Sequence, residues 1–170
     1  MRFPYADAHQ ATARAFSSPR PAYKNIWSTG VRSYGDMTAM ERIALDGMVQ
    51  SIAIHHCPTA SVMAFRAQWE DDIEMAADAM RWHVDAFVRP GRWILAAFGL
   101  EVLRRWTRRK FPGARPIMSD SQWAKAMNLD RRTVTGRRIA LVEQVKAAES
   151  IGLDIMAHRL RTAGLIPDDA

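Results

Sequence analysis

Between residues 59 and 88 the apolar side chains Val62, Phe65, Trp69, Ile73, Ala76, Met80, Val84 and Phe87 follow one another at intervals of three and four. Those intervals match the turn of an α-helix, so they predict one continuous amphipathic helix with a buried stripe. Nowhere does the chain alternate apolar and polar residues over the length of a strand. A chain that can only lay helix against helix belongs to the all-α class. With 170 residues, 48% of them hydrophobic, it has ample material for a packed core. No internal repeat or low-complexity tract interrupts it.

Helix signals and breakers divide the rest. Residues 1–35 hold Pro4, Pro19 and Pro21 and no sustained period, and are expected to form a mobile arm whose Tyr23, Trp27 and Tyr34 dock on the core. Thr38-Ala39-Met40-Glu41 is a capping box: hydroxyl and carboxylate each satisfy a free amide of the first turn. The helix it opens should run to about His55 and end at Pro58. Pro90-Gly91 breaks the chain again, and residues 92–109 read as a helix that is apolar on most sides through Trp93, Ile94, Phe98, Val102 and Trp106. Phe111-Pro112-Gly113 and Pro116 make a linker, followed by short helices. The expected organisation is a mobile arm at 1–35, a helical core region at 36–111 and a separate C-terminal module at 112–170.

Charge is sorted along the chain. The net charge is +6, but residues 1–90 carry 9 Lys and Arg against 10 Asp and Glu, whereas residues 91–170 carry 15 against 8. Between Arg92 and Arg138 the basic residues are opposed only by Glu101, Asp120 and Asp130. Such sorting points to an anionic partner for the C-terminal half.

The most informative segment is residues 120–139, DSQWAKAMNLDRRTVTGRRI. Ser119 and Gln122 form a second capping box, predicting a short helix over residues 120–127. Asn128-Leu129 suits a tight turn, because Asn tolerates the left-handed conformation. Asp130 can cap a second helix that starts at Arg131. Two helices joined by three or four residues form the unit that sets a recognition helix into the major groove.

Over these twenty or so residues the chain resembles the helix-turn-helix family of DNA-binding regulators. Ala124 stands where that family keeps a small residue for close helix approach, and Asn128 where it usually has glycine. Trp123, Met127, Leu129 and Val134 match its buried positions. Arg137 departs from the pattern, since an apolar residue is expected there; the core face would continue instead through Ile139, Leu141, Val142 and Val145, as in longer recognition helices of phage regulators and region-4-like sigma modules. The resemblance implies double-stranded DNA as the partner. Arg131, Arg132, Thr135, Arg137 and Arg138 would face it from the recognition helix, and Gly136 would let its backbone come close. An arginine fork can donate two bonds to guanine, and Thr135 can meet a base edge. Ser121, Gln122 and Lys125 would hold phosphates and fix the register. The upstream basic run, with Arg105, Arg108 and Arg109, would clamp a neighbouring stretch of backbone.

Size, basicity and such a module resemble phage or prophage transcription regulators, including activators and antiterminators that work beside RNA polymerase. Two other readings stand beside this one. One is a DNA-recognition subunit in phage packaging or replication, which would form a homo-oligomeric ring; the other is a protein-interaction scaffold with a basic surface. No enzyme chemistry is legible. Glu70, Asp71, Asp72, Glu74 and Asp78 form one acidic cluster, with Glu70, Glu74 and Asp78 expected on one solvated helix face, and no phosphate loop or nucleophile motif accompanies them. His83, Met75 and Met80 read as ordinary members of the same helix. Consecutive residues on a helix point about 100° apart, so His55, His56 and Cys57 cannot converge on one metal ion. No cofactor is expected. The lone Cys57, the lack of an apolar run long enough to span a bilayer and the polar N-terminus lead to the expectation of a cytoplasmic protein without a membrane partner.

Overall fold

A computed structural model of the protein describes residues 3–17, 35, 37–88, 92–107 and 118–168. Within them the chain is all-α, with no strand. Helix α1 spans Ala8–Ser17, α2 Ala39–His56, α3 Thr59–Trp69, α4 Ile73–Phe87, α5 Trp93–Trp106, α6 Asp120–Met127 and α7 Arg131–Thr162.

Helix α2 begins as its capping box dictates. The Glu41 amide donates to Thr38 Oγ1 at 3.3 Å, and the Thr38 amide donates to Glu41 Oε2 at 2.7 Å. The helix continues through His56, one residue beyond the expected end, and Pro58 is the N-cap of α3.

The continuous helix expected over residues 59–88 is two helices. Asp72 Oδ1 accepts the amides of Glu74 at 2.9 Å and Met75 at 3.2 Å, so its carboxylate starts a new helix. Periodicity persists across the break because α4 folds back on α3 and both bury their apolar faces in one place: Ala64 and Ala67 meet Ala79, Met80 and Val84. Ile73, which the stripe would have buried, is 45% exposed. The acidic cluster is split likewise. Glu70 is buried beside the break, while Asp71, Asp72, Glu74 and Asp78 face solvent, so the three-carboxylate face does not exist.

Part of the expected arm is also ordered. Gln10 N–H donates to Asp7 Oδ1 at 2.7 Å and Gln10 Oε1 accepts the Ala6 amide at 2.8 Å, an arrangement that closes the start of α1. Ala11, Ala15 and Phe16 of α1 are buried, and the phenol of Tyr5 donates to Asp46 Oδ1 of α2 at 2.7 Å. Tyr23, Trp27 and Tyr34 lie outside the described residues.

The core has two apolar clusters. One joins α1, α2 and α3 to the C-terminal half of α7 and the residues that follow it through Phe16, Val49, Phe65, Met156, Leu160 and Ile166. The other joins α3, α4, α5 and α6 to its N-terminal half through Met80, Phe98, Leu103, Trp123, Val134 and Leu141. Helix α7 is the shared wall. Of the short helices expected after the linker only α6 is short; it is followed by one helix of 32 residues, about 48 Å at 1.5 Å per residue. Its buried positions Val134, Leu141, Val145, Gly152, Met156 and Leu160 are spaced by fours and sevens, and no proline interrupts them. At Gly152 the helix crosses α3 so closely that a Cβ would stand 2.5 Å from the Phe65 ring and 2.6 Å from Ser61 Cβ.

Candidate nucleic-acid interface

The segment singled out in the sequence folds into a corner made by α6 and α7. Ser119 caps α6: the Gln122 amide donates to its Oγ at 3.2 Å, and the Ser119 amide donates to Gln122 Oε1 at 2.7 Å. The helix ends at Asn128, whose φ of 52° and ψ of 48° are left-handed. The Leu129 amide then returns to the Ala124 carbonyl at 2.9 Å. Asp130 opens α7 by accepting the Thr133 amide at 2.9 Å and the Thr133 hydroxyl at 2.5 Å. The bonds from the Thr133 hydroxyl and amide hold the Asp130 carboxyl below the ordinary aspartate value, so this cap is ionised at neutral pH.

The inside of the corner is apolar. Val134 is fully buried, Trp123 and Ala124 nearly so, and Met127 and Leu129 close the turn as half-buried residues. The Trp123 indole meets Phe98 of α5 edge-on with ring centres 5.5 Å apart. One carboxylate ties α5 to the start of α6: Glu101 Oε1 accepts the Met118 amide at 2.9 Å and the Trp123 indole N–H at 3.1 Å. Arg105 completes the tie by donating to the Met118 carbonyl at 2.6 Å, with Glu101 3.6 Å away. Glu101 was not among the expected site residues. A lone acid in a basic stretch is its only mark in the sequence.

The expected contact residues therefore fall into distinct sets. Arg131, Arg132 and Gly136 of α7 and Ser121, Gln122 and Lys125 of α6 are exposed. A Cβ added to Gly136 would meet nothing within 4 Å. Thr135 and Arg138 are engaged inside the molecule, where the Thr135 hydroxyl donates to Asp120 Oδ2 at 2.9 Å and an Arg138 Nη lies 3.2 Å from the same oxygen. These contacts clasp α7 to the first residue of α6. Arg105 is likewise turned to the α5–α6 tie, and Arg108 and Arg109 lie outside the described residues.

Ile139 is not part of the core face as expected but 55% exposed. It stands five residues after Val134, about 140° around the helix, whereas Leu141 and Val145 come back to the buried side. Arg137 is half-buried at the rim of a depression lined also by Arg92, Trp93, Ile94, Leu95, Met127 and Leu129. Trp93 there is 78% exposed, the most exposed large apolar side chain described.

Elsewhere, no group of three His, Cys, Asp or Glu among the described residues is arranged to hold a metal ion. His55 and His56 are exposed at the end of α2. Cys57 is half-buried, its thiol donating toward the Gly152 carbonyl at 3.6 Å, and burial pushes its pKa up to about 11. No described helix is long and apolar enough to cross a membrane. No known protein family, characterised protein or solved structure matches the chain.

Proposed function

We propose that the protein is a sequence-specific DNA-binding regulator of the helix-turn-helix kind, with the start of α7 set into the major groove and α6 lying across the backbone. The observation that carries this reading is the corner itself: two capped helices meet at a left-handed Asn128, are closed by buried Val134, and leave Arg131, Arg132 and Gly136 outward on the first turns of α7. Those turns are the part of a recognition helix that meets base edges. Gly136 supports the same reading. A glycine within a helix costs about 1 kcal/mol relative to alanine, and no neighbour among the described residues requires it; close approach of an external backbone would. Ser121, Gln122 and Lys125 on α6 take the phosphate-positioning role, and the excess of Lys and Arg after residue 90 supplies the long-range attraction.

The test is equilibrium binding of the full chain to a duplex selected from a random pool and to a scrambled duplex, each over a range of salt. Arg132→Ala should cost about 1–3 kcal/mol on the selected duplex and blur preference at one or two positions. Lys125→Ala should weaken both duplexes about equally and lower the salt slope by about one unit. A chain that binds no duplex at low salt overturns the proposal. Equal losses for both variants on both duplexes would reduce α7 to a basic surface without sequence reading.

A further inference from the structure

Arg92 and Trp93 fall outside every role assigned so far, yet they line one depression with Arg137. The depression has a fixed place around α7. At about 100° per residue, Arg137 and Arg138 lie on opposite flanks of the buried Val134, and Arg132, Gly136 and Ile139 form the ridge facing away from it. Arg138 and Thr135 point to α6 through Asp120, so α6 occupies one flank. Arg137 lies on the other, at a depression that it shares with Arg92 and Trp93 and that reaches Met127 at the end of α6 and Leu129 of the turn. A helix whose ridge faces the floor of a major groove has one phosphate backbone along each flank, because the two strands wall the groove. The α6 flank has Ser121, Gln122 and Lys125 for its wall, and the opposite flank needs an equivalent.

We propose that the Arg92–Trp93–Arg137 depression is a second DNA contact, taking the sugar–phosphate backbone of the strand opposite to the one held by α6. This inference rests on the reading of α7 as a recognition helix. Among the described residues no acidic side chain lines the depression. Among the described residues neither Arg92 nor Arg137 makes an ion pair, unlike Arg81, Arg105 and Arg138. Two guanidinium groups, one from the residue that precedes α5 and one from α7, give phosphate oxygens paired donors. Trp93 supplies a flat apolar face, large enough to cover a deoxyribose and left uncovered by the protein itself. The contact reads no base; it fixes the angle at which α7 enters the groove.

The experiment uses the full chain and the selected duplex with a single methylphosphonate, a neutral phosphate, walked along each strand. Wild type should show two groups of sensitive phosphates, one per strand, facing each other across the major groove. Arg92→Gln and Arg137→Gln should each erase the sensitivity of the same group and spare the other, and each should lower the salt slope by about one unit. Trp93→Ala should weaken selected and scrambled duplexes alike, by roughly five- to tenfold for the apolar area it removes, with the salt slope unchanged. Arg92 and Trp93 are exposed and Arg137 half-buried, and melting temperatures near wild type separate lost contact from lost fold. Sensitive phosphates on one strand only, or a pattern unchanged in Arg92→Gln and Arg137→Gln while Arg132→Ala still blurs sequence preference, would overturn this contact and leave the role of α7 standing. Failure of wild type to bind any duplex overturns both.

Discussion

At the scale of single residues, two glycines in one helix make opposite predictions. Gly136 stands in open space and Gly152 against the ring of Phe65. Gly136→Ala should raise stability by up to about 1 kcal/mol, the helical preference of alanine over glycine, while weakening the proposed DNA contact. Gly152→Ala should lower stability by about 1–3 kcal/mol, as overpacking does. Urea melts of both, beside binding, check the pair; Gly136→Ala with undiminished affinity would remove close approach from the account. His83 supplies a pH prediction. It is 1% exposed, its Nε2 has no hydrogen-bond partner, and burial lowers its pKa from 6.5 to about 4. Because the folded value lies below the unfolded one, the stabilisation from keeping it neutral is complete above pH 6.5 and is lost as pH falls toward 4. That loss should reach about 2–3 kcal/mol, and His83→Leu should flatten this part of the pH–stability curve. An unchanged slope in the variant would assign the acid sensitivity to other groups.

At the scale of elements, legibility followed the range of the interactions. The start of α2, both ends of α6 and the start of α7 could be read because each is set within four residues, by Thr38 with Glu41, Ser119 with Gln122, the left-handed Asn128, and Asp130. Asp7 and Gln10 carried the same kind of signal for α1, which the nearby prolines obscured. The break at Asp72 was hidden for a different reason: a folded hairpin and a straight helix bury the same stripe, so periodicity cannot tell them apart. The candidate site was legible in its corner and illegible in its clasp. Nothing local marks Asp120 as the acceptor for Thr135 and Arg138, or Glu101 as the acceptor for Trp123, since each pairing spans fifteen or more residues of sequence. The clasp is itself testable. Asp120→Ala should destabilise the protein by about 1 kcal/mol or somewhat more, for a charged hydrogen bond lost at a largely buried carboxylate whose arginine partner stays partly exposed. It should also release Arg138 toward solvent and alter base preference beyond what the stability loss explains; identical preference in a folded Asp120→Ala protein would show that the clasp has no part in aiming α7.

At the scale of the whole molecule, the basic excess lies at one end of the chain while the core does not divide there. Leu153, Met156 and Leu160 of α7 pack on α1, α2 and α3, so residues 92–170 alone would turn a long apolar strip of α7 to water. That fragment should be expanded and prone to association, binding hydrophobic dyes that the full chain excludes; a monomeric fragment with a cooperative melt would show that the N-terminal helices are dispensable. A single rod shared by both clusters has a further consequence. A shift of the whole of α7 would move both the buried α1–α3 face and the α6 corner, and would join the two ends by thermodynamic linkage. A ligand that grips α1 or α2 and prefers one setting of α7 must change affinity at the far end by a given factor, and whatever binds that far end must return the same factor to the ligand.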